Sequence, residues 1–168
     1  MPKTRWPFFL LILLTSCGFK LRNYDNLPNW LHQIAIIIDQ GQRDLKPMLT
    51  NAFKATNVSV TPKAYYELHI EHDEIQQIIS NVSASTTPRQ YQLNYILYFS
   101  LQTSSQHKVI PTQKIIVTRQ LTVNNNRILS SNAEEALIYR EMHQEAVSKL
   151  LSRISKRPGL PAVESGHY

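Results

Sequence analysis

The sequence predicts an α+β fold: a two-layer sandwich in which a mixed four-stranded sheet carries two helices on one face, in the order β-α-β-β-β-α. Three observations predict it. The stretch "YQLNYILYFSLQ" alternates, with Tyr91, Leu93, Tyr95, Leu97, Phe99 and Leu101 on one side and Gln92, Asn94, Ser100 and Gln102 on the other, which is the period of a half-buried strand. Over residues 43–55 the apolar positions instead fall three and four apart, at Leu45, Met48, Leu49, Ala52 and Phe53, the stripe of a helix with one buried face. That helix lies between the first two strands, and a helical crossover suits parallel neighbours, whereas the shorter connections that follow suit antiparallel hairpins. The second face of the sheet is left for solvent or a partner.

Each element has its own warrant. "IAIII", from Ile34 to Ile38, is a short continuous apolar run stopped by Asp39 and Gly41, which reads as a central strand covered on both faces. The first helix carries Pro47 in its first turn, where a missing N–H costs little, and Asp44 at the end that favours negative charge. In "YYELHIEHDEIQQIIS" the strand pattern puts Leu68, Ile70 and His72 on one face and Glu67, His69, Glu71 and Asp73 on the other. The apolar parity changes by Ile75, so a bulge or a strand end is expected near Asp73. A polar connection punctuated by Pro88 leads to the alternating strand, and "TQKIIVTRQLTV" returns antiparallel to it with Ile115, Val117, Arg119, Leu121 and Val123 on one side. Ser131 with Glu134, or Asn132 with Glu135, has the spacing of a capping box for the last helix. That helix runs to about Ser155 with Leu137, Ile138, Met142, Ala146, Leu150, Leu151 and Ile154 on its apolar side. Acidic Glu134 and Glu135 near its start and basic Arg153, Lys156 and Arg157 near its end follow the macrodipole.

The chain divides into residues 1–16, 17–33, 34–157 and 158–168. The first stretch has basic Lys3 and Arg5, an apolar run, and then Leu14, Thr15 and Ser16 before Cys17, the order of a secretory leader. A membrane-spanning helix is the competing reading, but it needs about 20 apolar residues, and polar character resumes at Thr15. Cys17 is the only cysteine, so no intramolecular disulfide is possible. The quartet Leu14, Thr15, Ser16, Cys17 resembles a bacterial lipobox. That resemblance implies a diacylglyceryl group and an amide-linked acyl chain on Cys17, with several chains anchoring stably where one holds only marginally. Gly18, in place of an aspartate, implies sorting to the outer membrane. Residues 17–33 read as a tether, 34–157 as one domain, and 158–168 as a disordered tail.

Composition narrows the partners. A net charge of +6 ordinarily raises nucleic acid, but export makes that partner a poor match, and Lys3 and Arg5 leave with the leader. Charged residues are 18% of the chain, below the roughly 25% of an average soluble protein, so much of its polar surface is Asn, Gln, Ser and Thr. The four glycines, at 18, 41, 159 and 166, build no phosphate-cradling loop, and no nucleophile elbow is present, so neither a catalytic residue nor a cofactor is expected. "HIEHDE" offers His69, Glu71 and Asp73 to one strand face. It reads as a solvated face, with a metal set as the alternative that lacks a second ligand pair. Arg119 lies on the apolar parity of its strand, where it needs an acid partner or a route to water, or else faces a ligand. Arg89 and Arg127 sit in connections, and arginine is the preferred bidentate partner of phosphate.

"CGFKLR" followed by Leu27 and Pro28, the long "YQLNYILYFSLQ" strand, "VTRQL", and a last helix containing "REM" together resemble the LptE family of lipopolysaccharide-assembly lipoproteins, over roughly residues 17–155. The resemblance implies a non-enzymatic, outer-membrane, lipid-anchored protein that faces the periplasm or sits as a plug inside the β-barrel LptD. There it helps the barrel to assemble and lipopolysaccharide to reach the outer leaflet. Within that reading Arg89 and Arg127 are the expected contacts to lipid phosphates, with Arg119 third. A lipoprotein interaction module of another envelope complex, or an envelope enzyme using the "HIEHDE" face, remain the other readings.

Overall fold

A computed structural model of the chain describes residues 27–41, 44–81, 89–123 and 128–157. The leader, Cys17, most of the tether, Arg127 and the tail lie outside the described residues. Seven elements follow in order: strand β1 (Gln33–Ile38), helix α1 (Leu45–Ala55), strand β2 (Ser59–Val60), the long strands β3 (Tyr66–Asn81), β4 (Arg89–Thr103) and β5 (Lys108–Val123), and helix α2 (Ile128–Ser155).

The α+β class holds, but the sheet has five strands, in the order β2-β1-β3-β4-β5. The additional strand is β2, which runs parallel to β1 at one edge, and the Ser59 N–H donates to the His32 carbonyl at 2.9 Å. Two residues are too few to show an alternation, so nothing in the hydrophobic pattern marks them. β1 is parallel to β3 as well, and β3, β4 and β5 are antiparallel neighbours. β1 is therefore an internal strand but not the middle one.

The core lies between the sheet and both helices and forms one cluster. α1 contributes Leu45, Leu49 and Phe53, and α2 contributes Met142, Ala146, Val147, Leu150, Leu151 and Ile154, against Ile34, Ile36, Leu68, Ile70, Leu93, Leu97, Phe99, Ile115 and Val117 of the sheet. Leu137, expected on the apolar side of α2, is exposed instead. α2 also begins earlier than its capping-box spacing suggests. It starts at Ile128, so Ser131 and Asn132 lie inside the helix, and its first turn holds no acidic residue, while Arg153 does sit in the last turn. α1 begins after Asp44, whose side chain makes no capping hydrogen bond. At its other end Asn57 adopts φ 60°, the left-handed conformation that asparagine tolerates, and the Val58 N–H returns to the Phe53 carbonyl at 3.0 Å. This turn delivers the chain to β2.

β3 contains the decisive irregularity. Its pairing passes from Ile70↔Phe99 directly to His72↔Tyr98, which leaves Glu71 as an extra residue. Beyond this bulge the side-chain parity reverses. Asp73 and Ile75 therefore continue the helix-facing side begun by Leu68 and Ile70, while His72 is exposed. The expectation that Asp73 shares the polar face with His69 and Glu71 is corrected on this point.

The packing predicts a contrast between two apolar truncations. Phe53→Ala, at a fully buried site, lowers the unfolding free energy by about 3–5 kcal/mol. Leu137→Ala, on the exposed side of α2, changes it by less than about 0.5 kcal/mol. Urea denaturation of the mature domain followed by circular dichroism measures both.

Candidate functional site

The face of the sheet turned away from the helices carries hydrogen-bonded polar groups interspersed with Ile78, Ile96 and Ile116, and the bulge builds its centre. On β3, the His69 ring places Nδ1 3.4 Å from Asp39 Oδ2 and Nε2 2.9 Å from the Gln102 amide nitrogen. The same Nε2 also lies 3.4 Å from Glu67 Oε2, so the ring is held between two carboxylates and an amide. The Glu71 carboxylate reaches across two strands and accepts from Ser100 Oγ at 2.8 Å and from Thr112 Oγ1 at 2.7 Å. Further along, Asn94 Oδ1 accepts from Gln92 at 3.2 Å and from Thr118 Oγ1 at 2.9 Å. His72 stacks on Tyr98, and the Lys114 ammonium lies 5.5 Å from the same ring's centre. Along this surface Gln, Asn, Ser and Thr side chains alternate with carboxylates and histidines that they hold by hydrogen bonds.

The "HIEHDE" cluster is consequently divided. His69 and Glu71 belong to the open face, while Asp73 turns into the interior, where Tyr95 Oη donates to its Oδ2 at 2.8 Å. Among the described residues no group of three or more His, Cys, Asp or Glu is placed to hold a metal ion. His143 of α2 packs edge-on against the Tyr95 ring, with centroids 4.5 Å apart. Burial and the neighbouring Asp73 carboxylate push the Tyr95 phenol far above its ordinary range. Burial holds the His143 imidazole below its ordinary value, against the opposing pull of the Asp73 and Asp44 carboxylates. His143 is only 7% exposed, and its Nε2 has no hydrogen-bond partner among the described residues. It lies at the base of a cleft of about 560 Å³ between the start of α1 and α2, bordered by Asp44, Met48, Tyr139 and Arg140. Sequence reasoning missed His143. The available signal was its place beside Met142 on the apolar stripe, where a histidine among core residues asks for a polar neighbour.

The three arginines fall out differently. Arg119 forms an ion pair with Glu145 of α2 and donates to the Thr118 carbonyl at 3.0 Å. Glu145 also receives Lys149 at 2.8 Å; that bond is the main cause holding its carboxyl below the usual range, burial opposes it, and Arg119 adds to the lowering. An arginine on the apolar parity of β5 is thus accommodated by an acid on the helix packed over that strand. The backbone of Arg89 opens β4 and pairs with Val123, the last residue of β5. The sheet therefore brings the start of β4 and the end of β5 to the same end, while Arg127 lies outside the described residues.

The family described as LptE, Lipopolysaccharide-assembly, matches residues 31–154. No curated protein matches the chain by sequence. Several solved structures are similar. An uncharacterized lipoprotein B from Nitrosomonas europaea is 25% identical with a TM-score of 0.68, covering 82% of this chain and 90% of its own. The rare lipoprotein B from Shewanella oneidensis is 17% identical with a TM-score of 0.63, over 73% of this chain and 92% of that one. A minor lipoprotein from Acinetobacter baumannii, 13% identical, has a TM-score of 0.64 over 74% and 91% of the two chains. At these identities the last two speak for the fold.

Two outcomes follow from the buried cluster. His143 takes up its proton at higher pH when unfolded than when folded, so its contribution to stability is fully present above its ordinary pKa of about 6.5 and is lost as pH falls from there through the lower value of the folded state. The unfolding midpoint measured between pH 7.5 and 5 should fall more steeply for the native chain than for His143→Gln, by up to one proton's worth of slope. Gly41→Ala places a methyl group 2.8 Å from Asp73 Oδ1 and 3.0 Å from Ile38, neither of which can retreat freely. It should cost about 1–3 kcal/mol in the same assay.

Proposed function

Because the chain belongs to the LptE lipopolysaccharide-assembly family, we propose that it is an outer-membrane lipoprotein, acylated on Cys17, that sits as a plug in a β-barrel partner of the LptD type. In that place it supports assembly of the barrel and delivery of lipopolysaccharide to the outer leaflet. The observation that carries this reading is the extent of the family match, which runs from the residues before β1 to the last buried residue of α2 and so takes in the whole sheet and both helices.

The physical features agree with it. Leu14, Thr15 and Ser16 before Cys17 supply an acylation sequence, and Gly18 favours the outer membrane. More than one acyl chain on Cys17 makes the anchor durable. A large outer-membrane barrel has a polar, water-filled interior. A plug for such a lumen needs a surface rich in hydrogen-bonding groups, and the open face supplies them around His69, Glu71, Asn94, Ser100 and Gln102. The protein acts by binding and positioning, without chemistry of its own. Lipid phosphates are received by Arg89 and Arg127, whose planar guanidinium groups suit two-point contact with phosphate. Arg119 contributes least, because it is shared with Glu145.

Depletion of the chain in its host should lower both the level of the folded barrel and the lipopolysaccharide at the cell surface; unchanged levels of both overturn the reading. Cys17→Ser should abolish the acyl mass at that position and lower the amount of chain recovered with the outer membrane. For the lipid contacts, Arg89→Glu with Arg127→Glu should weaken lipopolysaccharide binding by the purified protein about tenfold or more. Arg119→Glu alone should mainly lower stability. Binding that survives all three reversals removes the arginine assignment.

A further inference from the structure

We propose that the outer half of β3, residues 75–81, is a strand-addition site that takes up an extended peptide segment of the barrel partner; this rests on the function proposed above and names the contact through which part of the docking is made. The topology creates the site. β1 pairs with β3 only as far as Ile38↔Ile70, where the Asp39 N–H donates to the Ile70 carbonyl at 2.9 Å, yet β3 continues to Asn81. Among the described residues no strand flanks β3 on that side beyond Ile70.

The direction of the unpaired groups can be read from the ladder. The Ile70 carbonyl points toward β1, so Ile70↔Phe99 is a pair that exchanges no hydrogen bonds across to β4. On β4 the alternation from Phe99 to Tyr91 is uninterrupted, which places Tyr95, Leu93 and Tyr91 in the same phase. Their partners Ile75, Gln77 and Ile79 therefore turn N–H and C=O outward, away from β4.

Such an edge is normally guarded. On the opposite side of the sheet β5 carries Pro111, Lys108 and Lys114, and its pairing is broken by two register shifts. Residues 75–81, "IQQIISN", contain no charge, no proline and no glycine. Ile78 on the open face is 50% exposed and Ile79 on the helix-facing side is 54% exposed, so apolar surface flanks the edge above and below. An incoming strand would pair the backbone and cover both isoleucines with its own alternate side chains.

The chemistry also selects the occupant. The wall of a closed barrel has no free edge, so the segment comes from a loop or a terminus of the partner. Glu74, at the inner end of the strip, accepts from Gln76 Nε2 at 2.8 Å and lies 3.8 Å from His72 Nε2, and its remaining exposed surface favours a lysine or arginine opposite it. A second copy of the same strip cannot supply one, because residues 71–81 contain neither lysine nor arginine.

The test uses the full, acylated chain in its native outer membrane, with a photoreactive residue replacing Ile78 in one strain and Ile116, on the open face two strands away, in another. The Ile78 probe should yield an adduct with the barrel protein that maps outside its wall strands. Gln77→Pro removes an outward N–H and roughly one or two intermolecular hydrogen bonds, so the adduct should fall about tenfold. Glu74→Lys, which carries no risk from proline, should lower it severalfold, and the Ile116 adduct should be unaffected by either. An Ile78 adduct with a second copy or with a wall strand, no Ile78 adduct from a chain that retains its barrel partner, an Ile78 adduct undiminished in both variants, or an equal fall at Ile116 overturns the edge assignment alone. A native chain that retains no barrel protein overturns the proposed function and this inference together.

Discussion

One extra residue in β3 sets the arrangement on which the rest depends. Without the bulge at Glu71, the strand would carry His72 into the core and leave Asp73 and Ile75 in water. With it, four helix-facing positions, Leu68, Ile70, Asp73 and Ile75, follow one another along a single side although their sequence spacing is uneven. The same insertion frees the Glu71 carboxylate to span Ser100 and Thr112, so the irregularity is fastened to both following strands. The cost of turning Asp73 inward is met by the Tyr95 hydroxyl, and Gly41 leaves the space that a side chain would take from the carboxylate.

The amphipathic elements were legible because burial on one face imposes a period. β4 alternates without a break, and α1 shows its three-and-four spacing, so both are readable from residue types alone. β2 was not, since two residues paired at an edge express no period. The change of parity by Ile75 announced an irregularity in β3, but not that the extra residue is Glu71. That depends on pairing with β4, which lies outside any local window. The start of α2 misled for a related reason. Ser131 and Asn132 carry a capping spacing, yet the helix extends back to Ile128. Arg119 was readable as a problem, an arginine on an apolar parity, while its solution in Glu145 required knowing which helix packs over β5. The cluster of Asp73, Tyr95 and His143 is assembled from three separated segments, and no single stretch reveals it.

The two faces of the sheet divide the labour. The helix side holds the core and the buried polar cluster, which give the domain one packed arrangement. The other side presents polar groups joined by hydrogen bonds, with the Glu71 carboxylate tied to Ser100 and Thr112, and with Ile78 and Ile116 exposed among them. Such a face can meet a polar wall without leaving unpaired charges behind, which is a requirement for docking inside a wet lumen. At one end of the sheet lie the start of β4 and the end of β5, and the edge of β3 that no described strand flanks runs toward that end too, so several features with no role in the core converge there.

We propose that the domain is lipid-anchored and functions as one half of a pair with an outer-membrane barrel. Native mass spectrometry of the chain extracted from outer membranes in mild detergent tests it most directly. The account predicts an equimolar complex with a large β-barrel protein, in which the smaller subunit is heavier than its mature sequence by the acyl groups on Cys17. A free, unacylated chain, or a stoichiometric complex with a partner that is not a barrel, would contradict it.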